Sequence, residues 1–167
     1  MAALRGGMIR ELRTSAAVPE AMLELGRRVG ERLRPGDVVL LFGPLGAGKT
    51  TFVKGLARGL GVDAEVSSPS FALIHQYRGR VSLYHVDLYR LDSPDEVEML
   101  GLEECIESDA VTAVEWPEIG VDVFPEDRLE VRLDLQADGE CRSVVLRGVG
   151  RRMSEVVAEL SDAGTCV

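Results

Sequence analysis

The chain has 167 residues, 46% hydrophobic and 28% charged, with a formal net charge of -9. This composition excludes a disordered polymer, and the length suits one domain, 1–167, burying about two thirds of the surface its unfolded chain exposes. So acidic a surface repels DNA and other nucleic acid unless a basic patch intervenes; Arg27-Arg28, Arg32, Arg34 and Arg151-Arg152 read as solvated helix faces and ends, so a nucleic-acid role would run through a partner.

In chain order, Ile9 to Thr14 reads as an entry strand. Val18, Met22, Leu25, Val29 and Leu33 recur at spacings of three and four, with Pro19 fit for a first helical turn and Pro35-Gly36 ending the segment. The apolar run Val38 to Phe42 reads as a buried strand. It leads into Gly43-Pro44-Leu45-Gly46-Ala47-Gly48-Lys49-Thr50, a complete phosphate-binding loop, and then a helix from Thr51 to Gly59. Phe52, Val53, Leu56, Ala57 and Leu60 form its inner side. Strand, glycine-rich loop and helix in this order make a phosphate cradle of main-chain N–H groups at the positive end of a helix. Lys49 offers an ammonium to outer phosphates, and Thr50 a hydroxyl for a magnesium ion bridging two of them.

Beyond the loop lies the hydroxyl-rich turn Ser67-Ser68-Pro69-Ser70-Phe71, where such proteins place a segment that senses the terminal phosphate. Phe71 to Tyr77 and Val81 to Val86 read as an antiparallel pair joined at Arg78-Gly79-Arg80. Asp87 stands where the second of these strands ends. A carboxylate there could orient an attacking water or hold a metal-bound water, although Asp also serves simply to terminate strands. His85 and Arg90 read as structural or solvated. Ser93-Pro94-Asp95-Glu96 carries a capping box, opening a short helical stretch to about Ser108.

Ala110 to Val114 reads as a strand buried on both faces, closed by Glu115-Trp116-Pro117. Glu115 is the candidate metal-directed acid, reaching the ion directly or through a bound water, although a polar residue can also simply end a strand. Leu129 to Leu135 alternates apolar with charged residues and pairs with Ser143 to Leu146 across Ala137-Asp138-Gly139, and Met153 to Leu160 reads as a last helix or a frayed tail. The elements add up to an α/β fold of the P-loop NTPase-like three-layer kind, with a mixed parallel and antiparallel central sheet. Cys105, Cys141 and Cys166 are widely spaced and odd in number, which fits a reducing compartment; Met1 to Gly7 has no signal-like stretch and no run approaches membrane-spanning length, so a cytoplasmic protein without membrane contact is expected.

Four blocks together resemble the TsaE (YjeE) family of bacterial P-loop ATPases: Gly43 to Phe52, Ser67 to Phe71, Tyr84-His85-Val86-Asp87-Leu88-Tyr89-Arg90-Leu91, and Val114-Glu115-Trp116-Pro117-Glu118. Pro94-Asp95-Glu96 and Leu100-Gly101-Leu102 fit the same pattern. The resemblance spans roughly Leu25 to Pro125, and its last two blocks are not general features of P-loop proteins. It implies an ATPase required for the threonylcarbamoyl modification of tRNA beside the anticodon, bound to TsaD and TsaB partners that hold the tRNA. It further implies ATP and Mg2+ as cofactors. Gly43, Leu45, Gly46, Ala47, Gly48, Lys49, Thr50, Thr51 and Ser70 would contact nucleotide, Thr50 and Glu115 the metal, and Lys49, Asp87 and Glu115 would serve catalysis. Pro44 and Ser70 stand where the family often has Asp and Thr; Pro44 removes one backbone donor, while Ser70 keeps the hydroxyl. A small-molecule kinase and a nucleotide-gated binding module use the same loop and remain the rival readings. Thr14 to Glu20 and the chain end are the candidate walls for the base.

Overall fold

The computed structural model describes residues 7–164. Its elements run β1 (Ile9–Ala16), α1 (Pro19–Gly30), β2 (Val38–Phe42), α2 (Lys49–Gly59), β3 (Ile74–Tyr77), β4 (Ser82–Asp87), α3 (Pro94–Met99), α4 (Leu102–Ile106), β5 (Ala110–Glu115), a 3-10 segment (Pro117–Val123), β6 (Arg128–Leu135), β7 (Arg142–Val149) and α5 (Gly150–Asp162). The strands form one sheet in the order β1-β7-β6-β2-β5-β4-β3. Its inner strands β6, β2, β5 and β4 are parallel, and β1, β7 and β3 join antiparallel.

Apolar patterning explains the layers. The residues of β5 are all buried, and those of β2 all but Phe42, as expected of central parallel strands covered on both faces. Val39, Leu41, Ala113 and Val131 face the core shared with α1, α2 and α5. Val38, Leu40, Val86 and Val114 face the opposite layer, built from Val97, Leu102 and Phe124. The predicted capping box is present: Ser93 Oγ accepts the Glu96 N–H at 3.3 Å while Glu96 Oε2 accepts the Ser93 N–H at 3.3 Å.

Several expectations need correction. The strand expected from Phe71 begins only at Ile74, because the Leu73 N–H closes a turn onto the Pro69 carbonyl at 2.7 Å and Leu73 takes a positive φ of 64°. Phe71 is left 87% exposed. The helix after the loop starts at Lys49 rather than Thr51, so Lys49 and Thr50 occupy its first turn. Of the two readings of Met153 to Leu160 the helix holds and the frayed tail does not: Met153, Val156, Val157 and Leu160 are buried against the sheet. Val18 is half exposed at the start of α1 instead of lying in its stripe. Cys166 and the opening stretch to residue 6 lie outside the described residues; among the described residues Cys105 and Cys141 form no disulfide.

Two packing features lie outside the apolar pattern. In the first, Gly26 and Gly30 of α1 meet Gly55 and Gly59 of α2 so closely that a Cβ on any of the four would overlap a carbonyl of the facing helix, at Phe52, Leu56, Leu23 and Arg27 respectively. Such backbone contact allows weak Cα–H···O interactions and leaves no room for a methyl group. In the second, Glu130 is 3% exposed although it sits at a charged position of an alternating strand. Its carboxylate accepts from Arg128 Nη2 at 3.0 Å and Arg132 Nη2 at 3.1 Å, with Arg147 Nη1 at 3.4 Å. Burial alone would push this carboxyl up. The hydrogen bonds from Arg132 and Arg128 outweigh burial and hold it below the ordinary carboxylate range.

Gly55→Ala is expected to lower stability by about 2 kcal/mol through overpacking, despite the roughly 1 kcal/mol that Ala gains over Gly in a helix. A raised midpoint in urea denaturation would contradict the tight contact. Because the Glu130 carboxyl is lowered in the fold, its stabilising contribution is full above its unfolded value of about 4.3 and is lost as pH falls through the folded value. Glu130→Gln should therefore cost about 1–3 kcal/mol near neutrality and flatten the acid limb of the stability profile. Parallel acid limbs for the two proteins would remove this role.

Candidate functional site

The carboxyl ends of the parallel strands converge on the loop between β2 and α2. Gly48 takes a left-handed φ of 102° just before α2, and Gly46 a φ of 78°. Both angles strain any residue with a Cβ, so these glycines let the loop turn its amides inward and hand over directly to the helix. The Ala47 N–H closes the loop onto the Pro44 carbonyl at 3.1 Å.

Lys49 reaches back along the loop, its ammonium donating to the carbonyls of Gly43 at 2.5 Å and Pro44 at 3.0 Å. Its Nζ also lies 3.9 Å from the centroid of the Trp116 ring. Trp116 holds a positive φ of 56° and tilts against Tyr89, the rings 4.8 Å apart. Burial pushes the lysine below its ordinary value, against the pull of Glu115, Glu118 and Asp87. Thr50 Oγ1 donates to Glu115 Oε1 at 2.8 Å, joining the first turn of α2 to the end of β5.

Strand register brings the two acids together. Glu115 is paired with Leu41 on β2 and with Asp87 on β4, so the carboxylates end adjacent parallel strands and point to the α2 side. Both are buried. Asp87 Oδ1 accepts the Tyr89 N–H at 3.0 Å, and Oδ2 accepts from Ser68 Oγ at 3.2 Å. Ser68 is in turn 2.8 Å from Ser70 Oγ, so the hydroxyl-rich turn reaches the acid at the end of β4. His85 Nε2 lies 2.8 Å from Glu115 Oε1. This buried contact departs from the solvated alternative for His85, and its signal in sequence was the spacing of two between His85 and Asp87, which places both side chains on one strand face.

Two cavities flank the loop and share Gly46. One, of about 250 Å³, is bounded by Leu45, Lys49, Thr50, Ser70, Asp87, Glu115 and Trp116. The other, of about 240 Å³, is bounded by Ala16 to Pro19, Met22, Ala47, Gly48 and Thr51. Every residue expected in the site except Gly43 lines one or the other, and Gly43 joins through its carbonyl. The second cavity has the expected wall within Thr14 to Glu20, but the chain end contributes nothing to it among the described residues. Glu140 and Arg142 stand there instead, carried in by the β6–β7 turn. Tyr89 and Arg90 line the first cavity. These four were missed because only the pairing of β6 with β2 and the turn after β4 bring them to the loop.

The family model described as threonylcarbamoyl adenosine biosynthesis protein TsaE matches residues 16–144. The chain belongs to the TsaE family. The tRNA threonylcarbamoyladenosine biosynthesis protein TsaE of Bacillus subtilis is 38% identical over 154 residues, 92% of this chain and 96% of that protein. The protein of the same name from Streptomyces coelicolor is 46% identical over 138 residues, 78% of this chain and 93% of that protein. Another, from Treponema pallidum, is 46% identical over 114 residues, covering 68% and 84%. The crystal structure of Bacillus subtilis YdiB superposes with a TM-score of 0.81 at 34% identity, covering 93% of this chain and 97% of that one. The family's blocks, Gly43 to Phe52, Ser67 to Phe71, Tyr84 to Leu91 and Val114 to Glu118, all fall inside the matched span. Among the described residues no helix is long and apolar enough to cross a membrane.

Proposed function

We propose that this member of the TsaE family is a magnesium-dependent ATPase serving the threonylcarbamoyl modification of tRNA, and that it works bound to TsaD and TsaB partners. The observation that carries the reading is the Thr50–Glu115 hydrogen bond at the foot of the phosphate loop, with Asp87 in register beside Glu115. A hydroxyl on the first turn of α2 and a carboxylate closing the neighbouring parallel strand are hard oxygen donors of the kind magnesium takes. Among the described residues no group of three or more His, Cys, Asp or Glu forms a metal cage, so two protein oxygens would need phosphate and water to complete the shell.

The residues then divide the work. Backbone N–H groups between Leu45 and Thr51 would cradle phosphate oxygens, and the cavity bordered by Ala47, Gly48 and Thr51 would take the rest of the nucleotide. Lys49 would exchange its two loop carbonyls for phosphate oxygens, a stronger acceptor for an ammonium. Magnesium, when bound, neutralises charge on the phosphates and on the departing group. Asp87, held by Tyr89 and Ser68, would orient a water, and Ser70 would report the state of the phosphates to the same turn. Burial of both acids keeps the oxygens in a medium where their charges act strongly.

Charge and exposure support the partner assignment. From Asp92 to Asp127 the chain has no Lys or Arg, so the layer of α3, α4 and the 3-10 segment repels a phosphate backbone. Leu45 and Tyr89 at the mouth of the phosphate-side cavity, and Phe71 under the Arg90 guanidinium, are instead apolar and exposed. Such residues suit a protein partner that completes the site. No specific observation favours the kinase alternative.

Lys49→Ala is expected to abolish phosphate release and weaken ATP binding. Glu115→Gln should reduce magnesium-dependent hydrolysis by about 100-fold or more, and Asp87→Asn should retain bound nucleotide while slowing single-turnover cleavage. Near-normal calorimetry and turnover in all three would dispose of the site assignment. Immobilised chain should capture TsaD and TsaB more strongly with ATP than without; capture indifferent to nucleotide, or none, would count against the partner reading and reopen the kinase alternative.

A further inference from the structure

His85 sits on β4, fully buried, opposite Ala113 of β5 and two residues before Asp87. Its Nε2 is 2.8 Å from Glu115 Oε1, the oxygen that also accepts the Thr50 hydroxyl. Its Nδ1 is buried without a hydrogen-bond partner among the described residues. A ring proton on Nδ1 would be a buried donor with no acceptor, whereas one on Nε2 meets a carboxylate; the two hydrogen-bonding patterns differ by the full cost of an unmade bond. The facing residue on β5 is alanine, which leaves the imidazole the space beneath the carboxylate.

We propose that His85 is a positioning residue for the metal-directed carboxylate: its Nε2–H holds Oε1 of Glu115 and so fixes the orientation in which the acid meets the cation. This inference rests on reading Glu115 as a magnesium-directed acid. A glutamate carries three rotatable bonds, and Thr50 alone would tie it only to the loop that has to accommodate phosphate. His85 supplies a second donor from an interior strand, independent of that loop. Outer partners of this kind orient metal-directed groups and typically change metal affinity about 10–100-fold when removed. The unpartnered Nδ1 is the cost of the arrangement; a leucine of similar volume would avoid that cost but forfeit the bond to Glu115, so the two changes offset in stability.

Two measurements test it. In the wild-type protein, nitrogen-15 spectra of the two histidine rings should show a proton on Nε2 of His85, assigned by loss of its signal in His85→Gln; an unprotonated Nε2 overturns the proposal. Calorimetry with a non-hydrolysable ATP analogue then follows the gain in affinity as magnesium is added. In His85→Leu the magnesium concentration at half-gain should rise about tenfold, while affinity in EDTA and the melting temperature stay near wild type. His85→Gln, whose amide N–H can still donate, should recover most of the loss. An unchanged half-point in His85→Leu, or equal defects in both variants, overturns the proposal, as does failure of both to fold, which would make the ring a core element. A wild-type protein lacking any magnesium-dependent gain would refute the metal reading itself, an outcome distinct from all of these.

Discussion

The backbone contact between α1 and α2 is the constraint on which the site depends. Gly26 and Gly30 meet Gly55 and Gly59 with no side chain between them. A spacing of four on each helix keeps both glycines on one face, so the two helices touch along a full turn. The consequence lies at the other end of the helices. The first turn of α1 supplies Pro19 and Met22 to one cavity, while the first turn of α2 supplies Lys49 and Thr50 to the other. A methyl group inserted between the helices would force them apart and so shift these two turns relative to one another.

The second organising element is the row formed by Leu41, Glu115 and Asp87 across three parallel strands. Parallel register places residues at the strand ends side by side, and the side-chain period of two then sends Glu115, Asp87 and His85 to the same face. The sheet thus delivers two carboxylates and an imidazole to the first turn of α2 through its own pairing. Ligands in α/β sheets collect at the carboxyl ends of strands for this reason. The loop needs no long insertion to meet its acids; Thr50 does so with a single hydroxyl.

Local chemistry made much of this legible in sequence. The apolar runs Val38 to Phe42 and Ala110 to Val114 announced central strands, the glycines and Lys49 announced the loop, and Ser93 with Glu96 announced a helix start, because each signal is short-ranged. What escaped detection depends on distant pairing. Glu130 occupies an outward position in an alternating pattern, yet β7 and β2 on either side bring Arg147 and cover to it. Glu140 and Arg142 enter the site because β6 pairs with β2, a contact between residues about ninety apart in the chain. Phe71 looked like the start of a strand, but the turn from Pro69 to Leu73 that gives Ser68 access to Asp87 exposes the ring instead. The four glycines of α1 and α2 lower helix propensity, and only their placement opposite one another explains them.

Charge sets the order in which a nucleotide would assemble on this site. The chain carries a formal charge of -9, and Glu115, Glu118 and Asp87 surround one lysine. Burial already disfavours the lysine's charge, and although Arg90 and Arg142 border the two cavities, the three cations would on the proposed reading have to offset a triphosphate as well as the three carboxylates. On the proposed reading the balance requires another cation, and the hard oxygens of Thr50 and Glu115 stand where it would be needed. The same acidity would keep a bare phosphate backbone away from the α3 and α4 face, while the exposed Leu45 and Tyr89 border the cavity that contains Lys49 and the exposed Phe71 packs against Arg90 beside it. On that reading, metal with nucleotide on the inside and a protein partner on the outside would be two answers to one electrostatic condition: an acidic fold working on an anionic substrate would draw further counter-charge, and its recognition of RNA, from the groups it binds.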